Sequence, residues 1–347
     1  MIVPLNESTN DFMEDLPLLS DELAEILGLS LVIPINCIVS LTGILANILN
    51  VIILSKLDFN QSMSYGTMTL SLTDLTVSCL QLTSEILYVL HYVLDDSVID
   101  FMSLSTLPIG WMRYTGLNIS GWITALIATE RCFCVVIPFH VKRLCTRPLY
   151  IIALVAIYCV YFGFVIPVII LERFTWQPLP ADNYNATVHY VLTVAVDDTI
   201  VTLEKLLDSI CVFGFALLSQ IVLLVSTICM VSALRETARV RTSTDFCLTH
   251  RESTPGRSSL SVKEKRLIRV AVWLAVVMFV CSIPRYICVA FFAVIPTEIA
   301  ERNVSLTNFL VDVSDIFINI NSFSTFIVYF SLHENFKNMF YKLFCSA

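Results

Sequence analysis

The chain has 347 residues, of which 56% are hydrophobic and only 14% charged. A soluble domain is about 25% charged, so this composition weighs against an ordinary cytosolic enzyme, and nine glycines and twelve prolines are too few for a fibrous or low-complexity protein. The net charge of −8 provides no basic domain for nucleic acid, and because it lies outside the apolar stretches it does not signal a disordered acidic chain.

Residues 1–25 carry seven acidic residues and no Lys or Arg. They lack the basic start and short apolar core of a cleaved signal peptide, so residues 1–26 are expected to form an extracellular segment ahead of an uncleaved first helix. After that, charges act as punctuation. Residues 26–55 contain none, and 59–94 contain only Asp74 and Glu85. Residues 101–129 contain only Arg113, and 148–171 and 209–234 contain none. Residues 270–297 contain only Arg285, and 303–333 only Asp312 and Asp315. A helix needs about 20 mostly apolar residues to cross a bilayer core of roughly 30 Å. The seven stretches therefore predict an all-α membrane protein, a multi-pass seven-transmembrane-helix bundle over residues 27–333 with the lipid bilayer as its first partner. The remaining residues, 334–347, read as a short cytoplasmic amphipathic helix and tail.

Orientation follows from the basic residues. With the N-terminus outside and the C-terminus inside, the inner loops and tail hold fifteen Lys or Arg and the outer loops only Arg173, Lys205 and Arg302, the asymmetry that the positive-inside rule demands. Sequons at Asn6, Asn185 and Asn303 then fall outside, where glycosylation is possible. Others at Asn60 and Asn118 fall in an inner loop and inside a helix, so the charge count carries the argument. None of the twelve cysteines lies in the N-terminal segment or the outer loops, and no disulfide is proposed. Cys345 is either a palmitoylation site near the inner face or an unmodified tail cysteine. Residues 235–265 are basic and rich in Ser and Thr, suiting a flexible loop open to kinases or a plain solvated linker. In the outer loop of about 172–204, Thr187–Leu203 is rich in Val, Thr and Ile and reads as a β-hairpin or extended lid. No internal repeat is visible, which lowers the case for a transporter.

Charges inside a bilayer cost about 2.5–3.5 kcal/mol on insertion scales and usually mark function. Asp74 lies about 17 Å deep at ~1.5 Å per residue. Asn47, Ser120, Asn321 and Ser322 are its candidate partners. Together they suit a small hard cation such as sodium, or equally a protonated Asp74 in a hydrogen-bond network. Glu130-Arg131 closes the third helix on the inner side. Glu264, about 30 Å before Pro284, is at the inner end too, so Arg131 and Glu264 either clamp two helices or simply snorkel. Pro284 is either a hinge or a static kink. Glu85, Arg113, Arg285, Asp312 and Asp315 share the outer third, which predicts a water-filled ligand cavity with Arg113–Asp315 as its central pair, or an internal ion pair that only orders the bundle.

These residues resemble a rhodopsin-like, family 1 G-protein-coupled receptor over about residues 27–343. GILANILNV, with Asn47, resembles the first-helix motif, and LSLTDL, with Asp74, the second. ATERCFCVVIPFHVK resembles the end of the third helix and the second inner loop, with Glu130-Arg131 as the acidic-Arg pair. CSIP, ending in Pro284, resembles the sixth-helix motif. NSFSTFIVY followed by FSLHENFK, with Asn321, Tyr329 and Phe336, resembles the seventh helix and a short membrane-parallel eighth. There are departures. Thr106 stands where the family usually has cysteine, so the lid must be held without the usual disulfide. Ser282 stands where tryptophan is usual and Thr325-Phe326 where Asn-Pro is usual. The absence of Lys in the seventh helix excludes a retinal Schiff base, and Arg113 occupies the place of the amine-binding Asp. This divergence is similar to that of invertebrate chemosensory or orphan peptide-type receptors.

The resemblance implies a plasma-membrane receptor that binds an extracellular ligand, a short peptide or zwitterionic chemosensory cue, and activates a heterotrimeric G protein. Glu85, Arg113, Arg285, Asp312 and Asp315 would bind ligand. Asp74, Ser120, Asn321 and Ser322 match the positions of an allosteric sodium ion, and no other cofactor is expected. Glu130, Arg131, Glu264, Pro284 and Tyr329 would form the G-protein switch. No metal-ligand cluster or nucleophile–base motif suggests an enzyme. A non-signalling decoy or partner receptor and a transporter or channel stand as the alternatives.

Overall fold

The computed structural model describes residues 20–57, 62–94, 98–137, 146–178, 190–195, 202–203, 206, 210, 214–247, 262–294 and 303–345, and of residues 62–63, 234, 236–247, 262–264, 289 and 292–294 the backbone alone. Seven long helices fill most of this. They are α1 (Asp21–Lys56), α2 (Ser62–Val93), α3 (Phe101–Val136), α4 (Arg147–Leu171), α5 (Ala216–Cys247), α6 (Val262–Val294) and α7 (Val304–Leu332). A short helix, α8 (Glu334–Phe344), follows α7 after a break at His333. Outer and inner below refer to the orientation set by the basic loops.

Local chemistry places the helix starts. Ser20 caps α1, its hydroxyl accepting from the Leu23 amide at 3.3 Å, with Asp21 and Glu22 in the first turn; acidic groups are favoured there by the helix dipole. The helix thus begins ahead of the uncharged stretch. α4 starts on Arg147-Pro148, proline being tolerated where the amide has no helical partner. α5 runs on to Cys247 and α6 is already helical at Val262, so the segment read as a loop over 235–265 is helical at both ends. Thirty-two residues make a helix of about 48 Å, longer than a bilayer core, and α5 therefore carries its helical path past the lipid.

α3 is the centre of the bundle, touching α2, α4, α5 and α6, and the ring closes through α6–α7, α7–α1 and α1–α2. Polarity is inverted relative to a soluble protein. Leu45, Ile152, Ile170, Ile228 and Ile287 point outward, each at least 56% exposed, while Asn47, Asn50, Ser71 and Ser78 are buried at 2% or less. Lipid offers no drive to bury apolar groups, so polar contacts and close packing join the helices. Six of the seven long helices are apolar enough to cross a membrane by length and composition. The other, α2, carries Thr67, Ser71, Asp74, Ser78, Gln81 and Glu85 on one buried seam. Their spacing of four, three, four, three and four residues is one helical face. Small residues let helices approach. A β-carbon on Gly43 would stand 2.6 Å from Ser78 Oγ, and one on Gly116 2.5 Å from Val77 Cγ2.

At the outer end, β1 (Arg173–Pro178) and β2 (Tyr190–Ala195) form an antiparallel ribbon, with Arg173 opposite Ala195 and Pro178 opposite Tyr190. The hairpin thus lies earlier than the Thr187–Leu203 expected from composition, because β2 pairs back to the segment leaving α4. β2 is latched to the start of α3. Asp100 N–H donates to Leu192 O at 3.0 Å, and Leu192 N–H to Val98 O at 2.7 Å. The Asp100 carboxylate accepts from the Ser103 amide at 3.1 Å, the Ser103 hydroxyl at 2.5 Å and the Thr193 hydroxyl at 2.8 Å. Partial burial pushes this carboxyl up, and the hydrogen bonds more than offset it, holding Asp100 below its ordinary value.

At the inner end, α8 folds back on α7 and α1. Phe336 is fully buried and meets Phe326 at 5.9 Å and Tyr329 at 5.7 Å between ring centroids. His333 caps α8, its Nδ1 accepting from the Phe336 amide at 3.2 Å. Burial, with the nearby Arg266, holds this imidazole below its ordinary value, which keeps Nδ1 available as an acceptor.

Candidate functional site

The charged residues of the outer third are brought together. Arg113 on α3 meets Asp315 on α7 at 2.8 Å (Nη2–Oδ2), and Arg285 on α6 meets the other oxygen of the same carboxylate at 3.1 Å (Nη1–Oδ1). One side chain, 2% exposed, therefore ties three helices. Gln81 extends the network to α2, its carbonyl accepting from Arg113 and its amide donating to Glu85 at 2.6 Å. Both guanidiniums lie over the Tyr114 ring, at 4.8 Å for Arg113 and 4.5 Å for Arg285. Such cation–π contacts add about 0.5–2 kcal/mol each, more as the cation is desolvated. Asp312 stands one turn outward, exposed, within the electrostatic reach of Asp315, Arg113 and Arg285.

Inward of this network lies a cavity bordered by α2, α3, α5, α6 and α7, with about 80 Å³ open to the centres of water molecules. Of the five outer charges, only Arg285 lines it. Tyr114, Gln220, Ser282 and Tyr286 add polar groups. Asp74, Ser120, Asn321 and Ser322 border the same space. Asp74 is 3% exposed. Its Oδ1 accepts from Ser120 Oγ at 2.6 Å, while Oδ2 has no hydrogen-bond partner. Ser322 does not donate to the carboxylate. Its hydroxyl turns to the Asp74 main-chain carbonyl at 3.2 Å and is held by Asn47 at 3.1 Å and Ser78 at 2.9 Å. An orphaned carboxylate oxygen, with a hydroxyl on its sister oxygen and Asn321 lining the same polar cavity, suits a small hard cation bound through oxygen.

The inner switch residues are partly assembled. Glu130 Oε1 and Arg131 Nη2 are 3.0 Å apart, both buried. Tyr329, 3% exposed, lies beside Thr67 and in the field of Arg131. The side chain of Glu264 lies outside the described residues, and with it the expected Arg131–Glu264 pair. Two residues along, Arg266 pairs with Glu334 at the start of α8, an exposed contact worth about 0–1 kcal/mol. Pro284 sits inside α6. Asn303 is at the start of α7, whereas Asn6 and Asn185 lie outside the described residues.

A buried polar seam, a cavity between five of the seven long helices and an acidic-Arg pair at the inner end are the features of a receptor bundle, and residues 34–347 match the family described as serpentine type 7TM GPCR chemoreceptor Srw. The chain belongs to this family. No curated protein matches it significantly. Membership makes it a multi-pass membrane protein of the chemoreceptor kind, in a family of receptors rather than enzymes.

Several residues of this chemoreceptor's site were not singled out from sequence. Gln81, the bridge between Glu85 and Arg113, could have been found from the α2 seam, since it falls on the same face as Asp74. Tyr114 follows Arg113 directly and carries no spacing signal. Gln220 and Tyr286 enter only because α5 and α6 turn those faces inward.

Proposed function

We propose that this chemoreceptor binds a small zwitterionic or mixed-charge ligand, such as an amino-acid derivative or short peptide, at the outer side of the plasma membrane and activates a heterotrimeric G protein at the inner side. The observation that carries this reading is the cavity wall. It is lined by one guanidinium-bearing residue, Arg285, and by Gln220 and Asp74, each of which has a buried side-chain oxygen, Oε1 and Oδ2, without a hydrogen-bond partner. A buried polar atom left unsatisfied costs about 1–3 kcal/mol, which a ligand with both an anionic group and N–H donors recovers. Acidic outer loops raise the local concentration of ligands carrying positive charge within a Debye length of about 8 Å.

Signalling is a population shift, with agonist favouring the helix arrangement that it binds more tightly. Contacts near Arg113, Arg285 and Asp315 bias α6 about Pro284. Release of Arg131 from its inner partners, Glu264 among them, opens a cleft for a G-protein helix in a groove, and Tyr329 helps hold the open state. Sodium, bound by Asp74 with Ser120 and Asn321, neutralises the buried carboxylate and favours the resting arrangement. The test is a ligand screen in cells with a panel of G-protein sensors. A response that Arg113→Ala, Arg285→Ala and Asp315→Ala weaken and Arg131→Ala abolishes supports the reading, and potency unchanged in all three outer variants contradicts it.

One observation favours a second reading. Phe326 stacks on Phe330 at 5.8 Å and meets Phe340 at 6.2 Å, an aromatic lock between α7 and α8 that suits a non-signalling partner or decoy. Arg131→Ala without effect on any cellular signal selects it, and ligand-dependent flux in liposomes selects a transporter.

A further inference from the structure

Arg285 and Asp74 border one continuous cavity. The level between them on α6 is occupied by Ser282, whose hydroxyl turns back to Met278 O at 2.8 Å and so leaves the shaft open. At its inner end Asp74 Oδ2 is buried and without a partner. At its outer end Arg285 is fixed by Asp315 and by the Tyr114 ring. The shaft therefore has a positive end and a negative end, both rigidly held.

We propose that the ligand is a short ω-amino acid that spans this shaft, its carboxylate on Arg285 and its ammonium on Asp74, so that ligand and sodium compete for one carboxylate rather than acting at separate sites. The inference rests on the ligand-binding reading above and narrows it. Two magnitudes set the length. Ser120, which touches Asp74, is seven residues inward of Arg113, about 10 Å along α3, and Arg113 and Arg285 share the Asp315 carboxylate. Allowing about 3 Å for each polar contact leaves roughly 4 Å between the ligand's own charges. 3-Aminopropanoate and 4-aminobutyrate meet this spacing. Glycine is too short to bridge it, and 6-aminohexanoate is too long. Bridging also explains why one wall carries both an arginine and an unsatisfied acid: each end of the ligand finds an opposite charge in a site of low dielectric, where an unpaired charge is most costly.

The experiment is thermal unfolding of the full chain in nanodiscs, read by tryptophan fluorescence, with these four amino acids titrated in sodium or in N-methylglucamine. 3-Aminopropanoate and 4-aminobutyrate are expected to raise the midpoint, glycine and 6-aminohexanoate to raise it little. Once sodium exceeds its own dissociation constant, each tenfold rise in it should shift the half-saturating amino-acid concentration about tenfold. Arg285→Gln and Ser282→Trp should each remove the amino-acid shift and keep the sodium shift. Asp74→Asn should remove both. The inference falls if no amino acid in the series shifts the midpoint, if the shift is indifferent to sodium, or if it survives Asp74→Asn. A cell-surface ligand that needs Arg285 but neither Asp74 nor sodium overturns the bridging inference and leaves the receptor reading intact. Competition in nanodiscs without coupling to any G protein does the reverse.

Discussion

Asp315 is the residue whose loss should be most revealing, because two cations depend on it. In Asp315→Ala, Arg113 and Arg285 keep their positions with side chains only 11% and 16% exposed and lose their shared counter-charge. Removing one partner of a buried ion pair costs about 3–5 kcal/mol. Gln81 still accepts from Arg113 and Arg285 borders a polar cavity, so the lower end, about 3 kcal/mol, applies here. Arg113→Ala is different. It leaves Arg285 and Asp315 as a balanced pair and deletes charged hydrogen bonds worth about 2 kcal/mol. The double variant removes both the carboxylate and the more deeply buried of the two cations. Its cost is expected to be near that of Asp315→Ala alone, with a coupling of about 2 kcal/mol between the sites. Chemical unfolding of the purified receptor in nanodiscs, followed through its four tryptophans, measures all three variants. Strictly additive costs, or Arg113→Ala more damaging than Asp315→Ala, would refute the shared-carboxylate account.

Three further outcomes are expected. Gly116→Val should destabilise the receptor by about 1–3 kcal/mol through overpacking, since even a β-carbon there meets Val77 at 2.5 Å; an unchanged unfolding midpoint would contradict the close α2–α3 approach. Asp100→Ala should expose the Leu192 amide to fast hydrogen exchange, while a thiol reductant leaves that amide protected, because the latch uses hydrogen bonds to Ser103 and Thr193; protection surviving in Asp100→Ala is the adverse result. His333 contributes to α8 docking as a neutral acceptor with its value held below the ordinary one of about 6.5. A base depressed in the folded state stabilises fully above its unfolded value and loses that contribution as pH falls through its folded one. Exchange protection in α8 should therefore be flat above about pH 6.5 and weaken below it, and His333→Asn, which retains a capping oxygen, should flatten the profile.

Much of the architecture was legible because the lipid imposes a one-dimensional rule. Uncharged stretches long enough to cross it, and basic residues gathered in alternate loops, can be counted along the chain. α2 shows the limit of that rule. It is the one of the seven long helices without a stretch apolar enough to count as a membrane span by composition, since its inward face carries Asp74, Gln81 and Glu85, and it reads as a membrane helix from the isolation of its two charges rather than from hydropathy. The motif residues Asn47, Asp74 and Ser120 were likewise readable, because each position on a helix has a fixed depth at about 1.5 Å per residue. Depth alone placed Arg113, Arg285 and Asp315 at one level.

What depth does not contain is azimuth, the direction in which each face points once helices pack. That decided that Arg113 and Arg285 share Asp315 instead of forming separate pairs, and that Ser322 serves the Asp74 main chain and not its carboxylate. It decided that Gln220 and Tyr286 join Arg285 on the wall that also holds Asp74. The latch joining Asp100 to Thr193 closes across 93 residues, a contact that no local pattern encodes. Composition and spacing determined that this chain crosses the membrane as a helical bundle and at what height its charges lie. Only the packed helices determined which charges meet, because contact between rods is set by rotation about their axes as much as by position along them.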